Sequence, residues 1–160
     1  MPTLLRRSFT HDEARTVAAW AYPPPFDLYN VDPTNTNLFT HRDPDGSGYY
    51  PATNDDGTVI AFCVFGPEAR VHGQQPQAGV LDVGLGVHPD LTSRGLASGL
   101  FEQVAVLARE LFHPHQLRTA VATFNDRSLV LCRKAGFIPV QDFTGPGDRP
   151  FRELTCDLAQ

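Results

Sequence analysis

The residue types that could do chemistry gather in one stretch, residues 80–101, VLDVGLGVHPDLTSRGLASGLF. Its apolar first part, residues 80–87, predicts a strand. Residues 88–93 predict a short loop, and apolar spacing from about residue 95 to residue 111 predicts a long amphipathic helix with Glu102, Gln103, Arg109 and Glu110 on its solvent side. The junction carries Ser93, Arg94 and Gly95, and then the small Ala97, Ser98 and Gly99. A helix start offers unpaired backbone N–H groups and the positive end of its dipole. Small side chains let a ligand approach those groups closely. Together these features describe a cradle for phosphate, to which Arg94 can add a charge-assisted contact. Gly84 and Gly86 interrupt the strand just before it. Glycine inside a strand marks a bulge or a close backbone approach, so a gap beside this strand is expected. Asp82 is the carboxylate on the same strand.

The rest of the chain must position this stretch. Residues 4–8 read as a first strand. Thr10 and Glu13 have capping-box spacing, and Ala14, Val17, Ala18 and Ala21 continue as the apolar stripe of a helix that stops before Pro23, Pro24 and Pro25. Residues 26–48 form a long irregular tract of the kind that is usually functional, with a short helix expected near residues 34–40. Residues 49–53 and 58–66 read as a hairpin around Asn54, Asp55, Asp56 and Gly57. The second of its strands is apolar throughout, which predicts cover on both faces. After the long helix come a strand at residues 117–124 and a helix capped by Asn125 and stopped by Gly136. Closing strands are expected at 137–140 and 152–158. The strand–helix–strand unit at residues 80–124 predicts two parallel neighbours.

Length, charge and cysteine usage narrow the class. The chain has 160 residues with 41% hydrophobic content, enough for one domain over residues 1–160 with its own core. The net charge of −5 and the lack of a dense Lys/Arg run argue against a nucleic-acid binder. No stretch has the length of a membrane span, and residues 1–8 lack the apolar run of a signal peptide. Cys63, Cys132 and Cys156 are an odd set without zinc-ligand spacing. Reduced thiols and a cytoplasmic location are the expectation, with no metal site.

Two signatures in this order resemble the GNAT N-acetyltransferase family. The first is the strand leading to Thr92, Ser93, Arg94, Gly95, Leu96 and Ala97, where Gly95 and Ala97 fit and Thr92 replaces the usual Gln or Arg. The second runs from Asn125 to Phe137, where Asn125, Ser128, Gly136 and Phe137 fit and Cys132 stands where a Tyr is common. The two cover roughly residues 80–140. The resemblance implies a mixed α/β fold with a central, mostly antiparallel twisted sheet, one splayed parallel strand pair and flanking helices. It implies acetyl-CoA as cosubstrate and an amine as acceptor. It also allows a homodimer.

Residue by residue, the resemblance places the pyrophosphate of acetyl-CoA on the N–H groups of Ser93 to Ser98. It pairs the pantetheine arm with the main chain of Leu85, Gly86 and Val87, and sets Asn125 and Ser128 on the other flank. The N–H of Val87 could polarise the thioester oxygen. Asp82 is the candidate general base, acting through a water. The family's usual carboxylate falls about one residue away and side chains alternate along a strand, so the alternative is that Asp82 bonds a neighbouring backbone group. Cys132 is either a packed core residue or the acid for the departing thiolate, with Tyr29 of the long tract as substitute. Trp20, Tyr22, Phe26, Tyr29 and Asn30 could wall an acceptor pocket. Two rivals remain at this point, a non-catalytic acyl-CoA sensor and a nucleotide-phosphate enzyme. The second lacks a Gly-Lys-Ser/Thr ending.

Overall fold

A computed structural model describes residues 2–92 and 94–158. The sequence signals fold in order as β1 (Thr3–Leu4), α1 (His11–Ala18), α2 (Asn37–Thr40), β2 (Gly48–Thr53) and β3 (Val59–Phe65). Then come β4 (Val80–Val87), α3 (Leu96–Phe112), β5 (Gln116–Ala122), α4 (Asp126–Lys134), β6 (Ile138–Thr144) and β7 (Pro150–Asp157). The capping box forms: Glu13 N–H donates to the Thr10 hydroxyl at 3.2 Å, and Thr10 N–H donates to the Glu13 carboxylate at 2.9 Å.

The strands make one sheet in the order β1-β2-β3-β4-β5-β7-β6. Every neighbouring pair is antiparallel except β4 and β5, which are parallel as the strand–helix–strand unit requires. Helices cover both faces. On one side, α3 and α4 place Val104, Leu107, Ala108, Leu129 and Cys132 against Tyr50, Cys63, Leu81, Val83, Leu117 and Leu154. On the other, α1 and α2 place Ala14, Val17, Ala18 and Phe39 against Tyr49, Val59 and Val64. Successive residues of a strand alternate between these two cores, which is why Tyr49 and Tyr50 belong to different ones. Each fully buried aliphatic side chain, such as Leu100 or Val104, contributes roughly 1.5–3 kcal/mol by leaving water.

Two expectations about the edges are corrected. The first strand is only Thr3–Leu4, because the carbonyls that follow are taken by a side chain. The Arg42 guanidinium donates to the Arg6, Arg7 and Tyr49 carbonyls at 2.8, 3.2 and 2.9 Å. Gln103, expected on the solvent side of the long helix, faces inward instead. It accepts from Leu4 N–H and donates to the Pro2 carbonyl, both at 2.8 Å, and so ties β1 to α3.

The two strand glycines form regular antiparallel pairs with β3, Gly84 opposite Val64 and Gly86 opposite Phe62. They do not make a bulge. A Cβ on Gly86 would lie 2.2 Å from the Phe62 ring, and one on Gly84 would lie 3.1 Å from Val64. They are small because their neighbours lean across them.

Candidate active site

The strands β4 and β5 pair only from Val80↔Gln116 to Asp82↔Arg118 and then part. Both continue, one to Val87 and the other to Ala122. The opening between them is a cavity of about 340 Å³ lined by Val83 to Val87 on one strand and Thr119 to Val121 on the other. Backbone direction follows from the pairing on the far side. The Asp82 carbonyl accepts from Gly66 N–H, and His88 N–H donates to the Ile60 carbonyl, both at 2.9 Å, so even-numbered residues address β3. Alternation turns the main-chain groups of Leu85 and Val87 toward the opening. The split expected from the sequence is present, although the glycines are not its cause.

The start of α3 borders this opening, since Thr92 and Ala97 both line it. Gly95 is the residue before the helix and has φ +73°, a left-handed conformation that suits glycine. No described atom lies within 4 Å of where its Cβ would be. Among the described residues no side chain caps this helix, so the N–H groups of Leu96, Ala97 and Ser98 are of the kind that a helix start leaves for a ligand. Arg94 and Ser98 are exposed beside it. Ser93 lies outside the described residues. The Thr92 hydroxyl donates to the Pro89 carbonyl at 3.3 Å, so its proton tightens the preceding turn.

On the opposite flank, Asn125 and Tyr29 meet. The Asn125 side-chain oxygen accepts from Ser128 N–H at 3.2 Å and caps α4, while its amide donates to the Tyr29 hydroxyl, also at 3.2 Å. The cap and a second contact thus coexist on one side chain. Tyr29 sits on a 3-10 turn, Phe26–Tyr29, that brings the long irregular tract over the cleft. Because its oxygen is already an acceptor, its own proton can be donated elsewhere. Cys132 and Ser128 also line the cavity. Burial pushes the Cys132 thiol up to about 12, which makes it a poor acid toward a leaving thiol of ordinary pKa near ~8.5.

The remaining wall is aromatic. Trp20, Tyr22, Phe26, Tyr29, Phe39, Tyr49 and Phe62 line it, and Phe39 packs on Tyr49 and Phe62 at ring separations of 4.8 and 5.6 Å. The Tyr22 hydroxyl donates to the Val87 carbonyl at 2.7 Å. Burial pushes this phenol up to about 12, so it remains a donor. Asn30 does not line the cavity. Its side chain instead holds the Tyr22 backbone, accepting from Tyr22 N–H at 2.7 Å and donating to the Tyr22 carbonyl at 3.4 Å. The Tyr22–Val87 contact spans 65 residues, and nothing in local sequence pattern signals it.

Asp82 requires a correction. It is 4% exposed and does not line the cavity. Arg118 donates to its two oxygens at 2.6 and 3.1 Å, and Arg70 donates at 2.8 Å. Both oxygens are therefore engaged by guanidinium groups, and neither faces the cavity. Expected near the thioester or on a backbone group, Asp82 is instead one end of a buried ion pair away from the cavity. Arg118, 1% exposed, also reaches Glu153 at 3.6 Å, and Glu153 is held by Gln74 and Gln141. Asp82 and Arg118 are each the third residue of their observed strands, which run parallel and set them opposite one another. Among the described residues, no group of three His, Cys, Asp or Glu stands where it could hold a metal ion.

The sequence profile of the Acetyltransferase (GNAT) family matches residues 11–137. No curated protein matches the chain. Among solved structures, aminoglycoside acetyltransferase AAC(6')-Ib in complex with coenzyme A and kanamycin is 15% identical with a TM-score of 0.76, over 98% of this chain and 95% of that one. The structure of yncA from Salmonella typhimurium with its cofactor acetyl-CoA is 16% identical with a TM-score of 0.72, over 100% and 95%. A chimera of spermidine N-acetyltransferase SpeG from Vibrio cholerae is 12% identical with a TM-score of 0.73, over 98% and 95%. At these identities the likeness is one of fold, and it is the fold described above, with the same mostly antiparallel sheet and single parallel pair. With the family profile spanning both signatures and most of the chain, the protein belongs to the GNAT acetyltransferase family.

Proposed function

We propose that this chain moves an acetyl group from acetyl-CoA to a primary amine, of a small molecule or a peptide, by direct attack while both are held in the split between β4 and β5. The observation that carries this reading is the parting of the two strands after Asp82↔Arg118, next to a helix start at Gly95 that no described side chain caps. The helix start supplies N–H groups from Gly95 to Ser98 for a pyrophosphate, with Arg94 beside them. The main chain of Leu85 and Val87 supplies strand-like partners for a pantetheine arm, and Gly86 holds that strand against β3. Asn125 and Ser128 bound the other flank. A cosubstrate of this kind brings an activated acyl carbon, and the cavity brings proximity, the larger part of what a two-substrate transfer needs.

Within the cavity the chain's own groups divide the work. The Val87 N–H is a donor toward a developing oxyanion. Tyr29, held by Asn125, is the acid that protonates the departing sulfur. Tyr22 fixes the end of β4 through the Val87 carbonyl. Cys132 packs the cavity floor, and Asp82 holds the fork. Purified protein with acetyl-CoA and a panel of amines should release CoA thiol. Gly95→Asp should weaken acetyl-CoA binding at least tenfold, since its carboxylate would enter the space reserved for phosphate. Tight acetyl-CoA binding with no turnover for any amine is instead what a non-catalytic acyl-CoA sensor would give, and unchanged binding by Gly95→Asp would remove the cradle.

A further inference from the structure

Resting on that reading of the cleft, we infer that the acceptor is an aromatic-bodied amine that is uncharged near neutral pH, and that polycations are excluded. The acceptor side of the cavity is a wall of rings. Trp20 stacks on Phe62 at 6.1 Å and 27°, and Tyr49 lies 5.4 Å from the same ring. These rings pack in one cluster with α1 and α2, tilted on one another, so the wall presents both ring faces and ring edges. Aromatic walls of this kind select aromatic partners by offset and edge contacts.

Charge points the same way. Among the described residues that line the cavity there is no Asp or Glu, and Arg127 is its one charged side chain. The titratable groups lining the cavity are Tyr22, Tyr29, Tyr49 from β2, and Cys132 and Arg127 from α4; outside the lining, the His88 ring packs edge-on against Trp20 at 5.1 Å and the exposed Glu68 acts on Tyr49. No nearby carboxylate of the described residues enters the lining. Asp82 and Glu153 are bound to Arg118 and its partners, and Asp27 and Glu68 are exposed outside the lining. An ammonium desolvated here would have no counter-charge, which is heavily unfavourable. Cation–π contact could hold one ammonium but could not deprotonate it.

The reaction itself sharpens the point. The amine lone pair forms the new N–C bond, the C–S bond breaks with its electrons going to sulfur, one proton leaves nitrogen and one arrives on sulfur from Tyr29. The proton from nitrogen then restores Tyr29, directly or through solvent. Only a neutral amine has the lone pair, and the lining offers no carboxylate to create one. A lysine-like amine with pKa ~10.4 is neutral in roughly one molecule in 2,500 at pH 7. An α-amino group with pKa ~7.7–8.0 is neutral in roughly one in ten. The cavity therefore favours amines that shed their proton before entry.

The test is kcat/KM by thiol release across phenylalanine amide, an arylamine, spermidine and kanamycin, from pH 6 to pH 10. Phenylalanine amide or the arylamine should exceed both polycations at least tenfold. The profile should rise with unit slope to the amine's own pKa and shift when the amine is changed. Preference for spermidine or kanamycin, or a break at one fixed pH for every amine, would overturn the inference. Trp20 is the chain's single tryptophan, so its fluorescence in the CoA complex gives an independent readout. Saturable quenching by phenylalanine amide and not by spermidine is expected even if turnover fails. Failed turnover with that quenching contradicts the transferase reading alone, and the reverse pattern of quenching contradicts the acceptor class.

Discussion

Tyr29 and Cys132 both line the cleft, and their environments separate their roles. Tyr29 is 36% exposed and receives a hydrogen bond from Asn125, which leaves its proton for the substrate. Cys132 is 5% exposed among Leu81, Leu129 and Phe137, with a thiol that burial keeps protonated. Tyr29→Phe should lower kcat roughly 100-fold, the low end of what general acid catalysis supplies, with acetyl-CoA affinity within about twofold. Cys132→Ala should do the opposite, lowering the melting temperature while kcat stays within about threefold. Steady-state kinetics beside thermal melts would decide, and a large rate loss in a stable Cys132→Ala protein would reverse the assignment. The pairing of Tyr29 with Asn125 joins residues 96 positions apart. Their chemistry could be read from the sequence, but their meeting could not.

Two elements carry predictions of their own. Strand β4 can take no side chain at Gly86, because Phe62 is held there by Trp20, Phe39 and Tyr49. Gly86→Ala should push the ring toward the acceptor wall and raise KM for the amine several-fold, more than it raises KM for acetyl-CoA. An equal change in both would point to general loosening of the strand. Helix α1 is anchored by the Thr10–Glu13 capping box, and the Arg7 guanidinium on Glu13 lowers that carboxyl from 4.5 to about 2. A carboxyl depressed by folding contributes stability above its unfolded pKa and loses it as pH falls through the folded value. Wild type should therefore exceed Glu13→Gln in stability at pH 6, and the gap should close between about pH 4.5 and pH 2. Chemical denaturation at each pH would measure it, and a constant gap would mean that the charge plays no part. These local elements were the most legible: the capping box, the apolar run of residues 80–87 and the Asn125 cap all rest on short-range spacing.

Across the whole molecule, the sheet is two half-sheets joined through three residue pairs of β4 and β5. Asp82 and Arg118 form the last pair before the strands diverge, so the ion pair sits at the fork. Their burial, 4% and 1% exposed, makes this junction costly to break. Asp82→Asn should cost about 3–5 kcal/mol of stability by leaving the Arg118 charge underpaired, and denaturant melts would show it. A loss of turnover in a protein of unchanged stability would return Asp82 to the chemistry. The parallel pair followed from the order of apolar runs, while the mostly antiparallel sheet and the splayed pair were what the family resemblance implied. The register that sets Asp82 against Arg118, and the packing of residues 20–31 over the cleft, depend on contacts distant in sequence. No spacing rule reports those contacts. The central claim is that the split receives an acyl-CoA arm whose diphosphate rests at Gly95. A crystal structure with CoA tests it most directly. It should place the diphosphate on the N–H groups of residues 95–98 and the arm within hydrogen-bond distance of the Leu85 and Val87 main chain. CoA bound elsewhere, or β4 and β5 zipped together past Asp82 in the crystal, would contradict it.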